Sequence, residues 1–238
     1  MLLAIDTATD HASVALAPTG TEVLEENLTG SRRHAAALLP MIQTLLRRAG
    51  ASLDDVKGIV LSDGPGSFTG LRVGASVAKA LVQARSLPLW VAPSLLVRAA
   101  GVAQDGALVL AVSSALRGEM YAAAYRFSGD RISAELIPSV RKPEDLIGAG
   151  LEPHTIVGEA PAEILAALEK WFGRPVIGPP AGSPHAARLP SLVGRAGGAR
   201  LVETPALWEP VYGRPAEAQA RWESTHGRPL PDSIGSPG

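Results

Sequence analysis

The stretch Asp63-Gly64-Pro65-Gly66-Ser67-Phe68-Thr69-Gly70-Leu71-Arg72-Val73-Gly74 constrains this chain more than any other. Before it, Gly58-Ile59-Val60-Leu61-Ser62 has the length and composition of a short buried strand, and after it, Leu71 to Arg85 repeats apolar or small residues at helical spacing. Two readings of the loop stand side by side. N–H groups at a helix start lack intrahelical partners and carry the positive end of the dipole, so Gly64, Gly66, Ser67, Thr69 and Gly70 suit a phosphate or carboxylate. Arg72 fits that reading, because a cation in the first turn opposes the dipole and is better used facing an anion or a partner. The second reading is a tight strand-to-helix turn with Thr69 as N-cap. No Gly-Lys-Ser/Thr ending is present, so phosphoryl transfer of the P-loop type is not expected. Phe68 stands where a nucleophile elbow needs its second glycine.

The rest of the chain repeats the alternation. Residues 2–5 and 13–17 read as strands around the polar turn Asp6-Thr7-Ala8-Thr9-Asp10-His11, and 21–28 as a third strand. From Arg33 to Ala49 a helical stripe carries Ala35, Leu38, Leu39, Ile42, Leu45 and Leu46, with Pro40 expected to kink or delay it. Leu87 to Ala92 reads as a strand. A second cycle follows, with strands at 108–113 and 119–125 around Ser114-Ala115-Leu116-Arg117-Gly118, then helices at 143–147 and 161–172. Strands alternating with helices predict an α/β fold with mixed sheets, and the repeated order suggests two related halves. The expected division is 1–100, 101–223 and a loose tail over 224–238, which is rich in glycine and proline.

With 46% apolar and 19% charged residues, the chain of 238 can bury a sizeable core as one large or two small domains. A formal net charge of -1 offers no global attraction to nucleic acid or an anionic membrane, so any RNA contact must be local or shared with a partner. The absence of cysteine rules out disulfides and thiolate metal sites. The first residues reach Asp6 too soon for a signal peptide, and no apolar run approaches the ~18 residues needed to span a bilayer. A cytoplasmic protein without a membrane role is expected.

Candidate chemistry is sparse. Asp6 and Thr7 end the first strand, where they suit a metal-bound water, a phosphate or an ordinary turn. The histidines His11, His34, His154, His185 and His226 include no pair within one helical turn, so no metal site is predicted. Gly74 and Ala78 are four apart on the second helix and create a flat face, open to the protein's own sheet or to another helix.

Leu3-Ala4-Ile5-Asp6-Thr7-Ala8-Thr9, Arg33-His34 with Leu38-Leu39-Pro40-Met41-Ile42, the glycine loop through Gly74, Arg117-Gly118-Glu119-Met120-Tyr121 and Pro210-Val211-Tyr212-Gly213-Arg214 together resemble the TsaB family, also called YeaZ. That resemblance implies the two-halved fold of the actin, sugar kinase and Hsp70 (ASKHA) class. It further implies a non-catalytic scaffold and activator in making threonylcarbamoyladenosine beside the tRNA anticodon. The implied partners are TsaD, the catalytic paralogue; TsaE, a P-loop ATPase; a second copy when alone; and tRNA through the complex. No cofactor of its own is implied, with ATP or ADP admitted at the level of the complex. The helices after the first hairpin and after the glycine loop would carry the interface, through Leu38, Ile42, Leu45, Val73, Gly74, Val77, Ala78 and Leu81. Nucleotide binding, if retained, would use Asp6, Thr7, Gly64, Gly66, Ser67, Thr69, Gly70 and Arg72. The metal-ligand pair of the catalytic paralogue has no counterpart at Val91 to Val97, and Ser114-Ala115-Leu116 and Gly213 depart from the family pattern. The alternative function is an ATP-dependent phosphotransferase of the same fold, or a nucleotide-binding sensor acting alone.

Overall fold

Large and small apolar residues alternate along the first strands, and this alternation decides how the layers stack. β1 (Leu2–Asp6) turns Leu3 and Ile5 to one face and Ala4 to the other, following the two-residue period of a strand. β2 (His11–Ala17) sets Val14 and Leu16 against Ala15, and β4 (Gly58–Ser62) sets Ile59 and Leu61 against Val60. The face with the larger residues is covered by α1 (His34–Arg48) and α2 (Phe68–Arg85). The other face admits α3 (Ser94–Ala100) and a 3-10 segment, Ala186–Leu192, because small side chains let backbone approach closely.

This architecture comes from a computed structural model, which describes residues 1–238 except 19, 21, 31–32, 116–117, 214–224 and 226–238. The first sheet is completed by β3 (Leu24–Thr29), β5 (Leu89–Ala92) and β11 (Arg200–Leu201), in the order β11-β5-β4-β1-β2-β3. The second contains β6 (Leu108–Ser114), β7 (Met120–Ser128), β8 (Arg131–Arg141), β9 (Thr155–Glu159) and β10 (Val176–Ile177), in the order β10-β9-β6-β7-β8. In each, a central strand pairs antiparallel on one side and parallel on the other: β1 with β2 and β4, β6 with β7 and β9. One strand order is therefore built twice, with mixed sheets flanked by helices as predicted. α4 (Glu144–Ile147) and α5 (Ala162–Phe172) cover the outer face of the second sheet through Leu146, Ile164 and Leu168. β11 joins the first sheet, although its residues fall in the stretch read from sequence as the second half.

The strands at 58–62 and 108–113 and the helix at 161–172 lie within a residue of where periodicity put them. Pro40 lies inside α1 rather than delaying it. α3 was not legible, because every residue from Ser94 to Ala99 is buried and a helix covered all round shows no apolar stripe. The loose tail expected over 224–238 lies outside the described residues apart from Thr225, as do Leu116, Arg117 and Arg214.

Candidate functional site

α2 begins at Phe68, one turn before the predicted Leu71, and its cap is Ser67 rather than Thr69. Ser67 Oγ accepts the Gly70 N–H at 3.2 Å, which satisfies one of the unpartnered donors of the first turn. Three further N–H groups of the loop and first turn also have acceptors inside the protein. Ser67 N–H donates to the Ala8 carbonyl at 2.6 Å, Leu71 N–H to the Ser67 carbonyl at 2.8 Å, and Gly64 N–H to Ser94 Oγ at 3.0 Å.

The glycines explain themselves by what a side chain would strike. A Cβ at Gly66 would collide with the Ala8 carbonyl, one at Gly70 with the Thr7 carbonyl, and one at Gly64, where φ is +107°, with the Val211 carbonyl. The loop spends its glycines on close backbone approach to the turn after β1 and to the chain's own C-terminal segment. With the N–H groups of Gly64, Ser67 and Gly70 already given to acceptors in the protein, these three do not serve a phosphate cradle. Among the described residues Arg72 meets no anion: its guanidinium lies 4.0 Å from the Phe68 ring centroid and 5.6 Å from that of Tyr212.

Asp6 and Thr7 are fully buried. Asp6 Oδ1 accepts the Ala8 N–H at 3.1 Å, while Oδ2 and Thr7 Oγ1 have no hydrogen-bond partner. Burial pushes the Asp6 carboxyl up to about 6, against the smaller opposing pull of Ser62, the Ala8 N–H, Arg98 and His185. Ser62 Oγ faces Asp6 without closing a hydrogen bond. Asp63 is likewise lifted to about 6 by burial, although Arg200 pairs with it at 3.0 Å. Thr7 Oγ1 stands where a Cβ on Gly74 would go, so Gly74 is a packing glycine beneath α2.

Between the sheets, contacts that the sequence did not reveal bridge the space. Arg98, fully buried on α3, donates to the Gly182 carbonyl at 2.5 Å and to Glu159 Oε1 at 2.9 Å. Ala186 N–H donates to Ser13 Oγ at 2.7 Å, and Ala187 N–H to Glu25 Oε1 at 3.0 Å. His185 sets Nδ1 against Glu25 Oε2 and Nε2 against the Pro180 carbonyl, both at 3.2 Å. Two acceptors flanking one imidazole call for a proton on each nitrogen, and the Glu25 carboxylate holds the His185 value up. Burial works against the Glu25 charge, yet the His185 and Ala187 hydrogen bonds keep its carboxyl below the ordinary range. Segment 182–192 thus bridges the two sheets, and a cavity of about 330 Å³ stays open beside it, lined by Thr9, Asp10, His11 and Thr29 on one side and Glu159, Pro179, Pro180 and Ser183 on the other. Arg98 carried no signal in sequence because it stands in an apolar run, and Glu25 and His185 are 160 residues apart.

The proposed interface residues divide in two. Leu38, Ile42, Leu45, Gly74 and Ala78 are buried beneath α1 and α2 in the protein's own core, a correction to reading them as partner contacts. Val73, Val77 and Leu81 are half-buried and pack on the same core from its rim. The outward side of α2 consists of Thr69, Arg72, Ser76, Ala80 and Gln83, spaced three or four apart and mostly small. Such a crest lets a second helix pack closely. Among the described residues, no group of three or more histidine, aspartate or glutamate side chains is arranged to hold a metal ion, and no helix is long and apolar enough to cross a membrane.

Two mixed sheets of one strand order, with helices outside and a helix and 3-10 segment between, define a two-lobed protein of the actin, sugar kinase and Hsp70 class. Ethanolamine utilization protein EutJ from Carboxydothermus hydrogenoformans shares the fold, with a TM-score of 0.51 at 9% identity over 81% of this chain and 89% of that one. The family model for TsaD, tRNA N6-adenosine threonylcarbamoyltransferase, matches residues 28–176. The tRNA threonylcarbamoyladenosine biosynthesis protein TsaB of Escherichia coli (strain K12) is 40% identical over 146 residues, which are 60% of this chain and 63% of that protein. The matched stretch thus spans less than two thirds of that relative's length. YeaZ from Pseudomonas aeruginosa superposes with a TM-score of 0.67 and 31% identity, covering 81% of this chain and 90% of the other. The chain belongs to the TsaB (YeaZ) family.

Proposed function

We propose that this chain acts in tRNA threonylcarbamoyladenosine biosynthesis, in the cytoplasm, as a non-catalytic subunit that binds and activates a TsaD-type transferase. The observation that carries this reading is the contrast between its glycine loop and its second helix. The loop's glycines and the N–H groups of Gly64, Ser67 and Gly70 are engaged inside the protein, while α2 presents an exposed crest of mostly small residues suited to helix packing. Family membership supplies the pathway, and the relatives that match include tRNA N6-adenosine threonylcarbamoyltransferases themselves, such as that of Geobacter sulfurreducens. A shared fold makes helix-to-helix pairing between two such chains geometrically natural, α1 and α2 of each forming one side. The lone phosphotransferase would need the loop's N–H groups for phosphate, and those of Gly64, Ser67 and Gly70 are already engaged within the protein. TsaE joins the proposal as the ATP-consuming component, and tRNA is held by the assembly rather than by this chain alone.

The test is reconstitution of tRNA modification from purified transferase, ATPase and this chain, omitting each in turn, with Ala80→Glu as the interface variant. Ala80 is exposed, so the charge should leave the fold intact while blocking close helix approach. The reading requires that modification falls without the chain and that Ala80→Glu fails to restore it. Undiminished modification in the chain's absence would sink it.

A further inference from the structure

The C-terminal segment from Val202 to Gly213 runs as a strap along one side of α2. Val202 N–H donates to the Leu89 carbonyl at 2.8 Å, and Val211 N–H to the Asp63 carbonyl at 2.7 Å, so the strap is tied at both ends to the first sheet and the glycine loop. Between these ties a tight turn forms, in which the Thr204 carbonyl accepts both the Leu207 and the Trp208 N–H at 3.1 Å. Trp208 is buried in the core under α2, and Lys79 Nζ reaches the Ala206 carbonyl at 3.4 Å and Glu209 at 3.3 Å. With Trp208 anchored inward, its neighbour Leu207 is thrust into solvent at 82% exposure, and Val211 is 51% exposed.

Two turns before Lys79 on α2, Arg72 lies at the Tyr212 end of the strap. Its guanidinium is stacked on Phe68, whose ring is 4.7 Å from that of Tyr212 on the strap. α2 carries two other basic side chains, and each has a carboxylate: Lys79 pairs with Glu209 and Arg85 with Asp54. Among the described residues Arg72 has none. An arginine held in place by two aromatic rings, without a counter-charge among the described residues and with the exposed Val211 next to Tyr212, has the composition of an interface core rather than of ordinary surface. Because the strap and the rings already fix these side chains, a partner would lose little conformational entropy in ordering them. Desolvating Arg72 in a contact demands a carboxylate on the other side, since a buried unpaired cation is costly.

We propose that Phe68, Val211, Tyr212 and, further along the strap, Leu207 extend the α2 crest from Arg72 into a second contact surface for the catalytic partner, in which Arg72 receives a carboxylate of that partner. This rests on the function proposed above for the α2 crest. RNA is the disfavoured occupant: among the described residues the surface offers one cation without a carboxylate partner, with Glu209 and two aliphatic side chains on the same strap, whereas phosphate backbones are held by several cations together.

The experiment measures the dissociation constant between the full chain and the purified transferase at about 50 mM and about 300 mM salt. It compares wild type, Arg72→Gln, Leu207→Asp and Ala80→Glu, with the thermal midpoint of each variant as a folding check. Arg72→Gln and Leu207→Asp should each weaken association at least about tenfold with an unchanged midpoint, and Arg72→Gln should remove most of the salt dependence. If Ala80→Glu disrupts association while both cluster variants stay within about twofold, the second surface is overturned and the function reading stands. If the cluster variants weaken association and Ala80→Glu does not, the second surface stands and the α2-crest reading falls. Loss of tRNA affinity with transferase affinity unchanged also overturns the proposal.

Discussion

Replacing Asp6 with asparagine should stabilise this protein at neutral pH, and the size of the gain follows from burial. Asp6 is fully buried at the end of β1, one of its oxygens has no hydrogen-bond partner, and burial lifts its carboxyl from the ordinary value of 3.8 to about 6. The rise corresponds to about 3 kcal/mol at ~1.36 kcal/mol per pH unit, an order-of-magnitude figure. The sign runs against charge: below pH 3.8 the carboxyl is protonated folded or unfolded, and no difference arises. Between 3.8 and about 6 the folded state alone keeps the proton, so stability falls as pH rises, and above about 6 the full cost of the buried charge is present. Asparagine keeps the bond from the Ala8 N–H, and its amide can donate to the otherwise unpartnered Ser62 hydroxyl. Asp6→Asn should therefore raise the thermal midpoint by about 6–12 °C at pH 7.5, at ~2–4 °C per kcal/mol for a chain of this size. The gain should shrink to a small fraction at pH 4. Calorimetry at the two pH values decides it: no gain at pH 7.5, or an equal gain at both, would refute the reasoning.

Gly74→Ala forces a Cβ onto Thr7 Oγ1 and against Leu61, so it should lower stability by about 1–3 kcal/mol in chemical denaturation. A charge at Gly74 or Ala78 is thus a fold-breaking variant and no test of partner binding, whereas Ala80→Glu should leave the midpoint within about 1 °C. Arg98→Met leaves Glu159 and the Gly182 carbonyl without their donor and should cost about 3 kcal/mol, part of which the double variant with Glu159→Gln recovers in a urea titration. His185→Gln tests the tie between β3 and segment 182–192. The His185 value is raised, so its contribution is complete below its ordinary 6.5 and fades as pH climbs past the raised value; the Glu25 value is lowered, so its contribution fades only on acidification below 4.5. The difference from wild type, about 1 kcal/mol, should be largest between those limits and should narrow at alkaline pH.

Local pattern and tertiary placement divide the molecule cleanly. Two-residue alternation in Leu3-Ala4-Ile5, helical spacing in Leu38, Ile42 and Leu45, and the glycine loop made the α/β class and the first helices readable from sequence, because each signal lies within one element. The family was readable for the same reason: its motif is a continuous run. Which way each side chain faces was not. Gly74 and Ala78 read as a flat face open to the protein's own sheet or to another helix, and only the packing of α2 on β1 and β4 decided for the sheet, with Thr7 and Leu61 against Gly74 and with Ser76 and Ala80 outward. The loop read as an anion cradle or a tight turn, and the Ala8, Ser94 and Val211 contacts show how far its glycines and donors serve the turn. Periodicity says that a helix has two faces. Only long-range contacts, between residues such as Asp63 and Val211 or Glu25 and His185, decide which face is core and which is left for a partner.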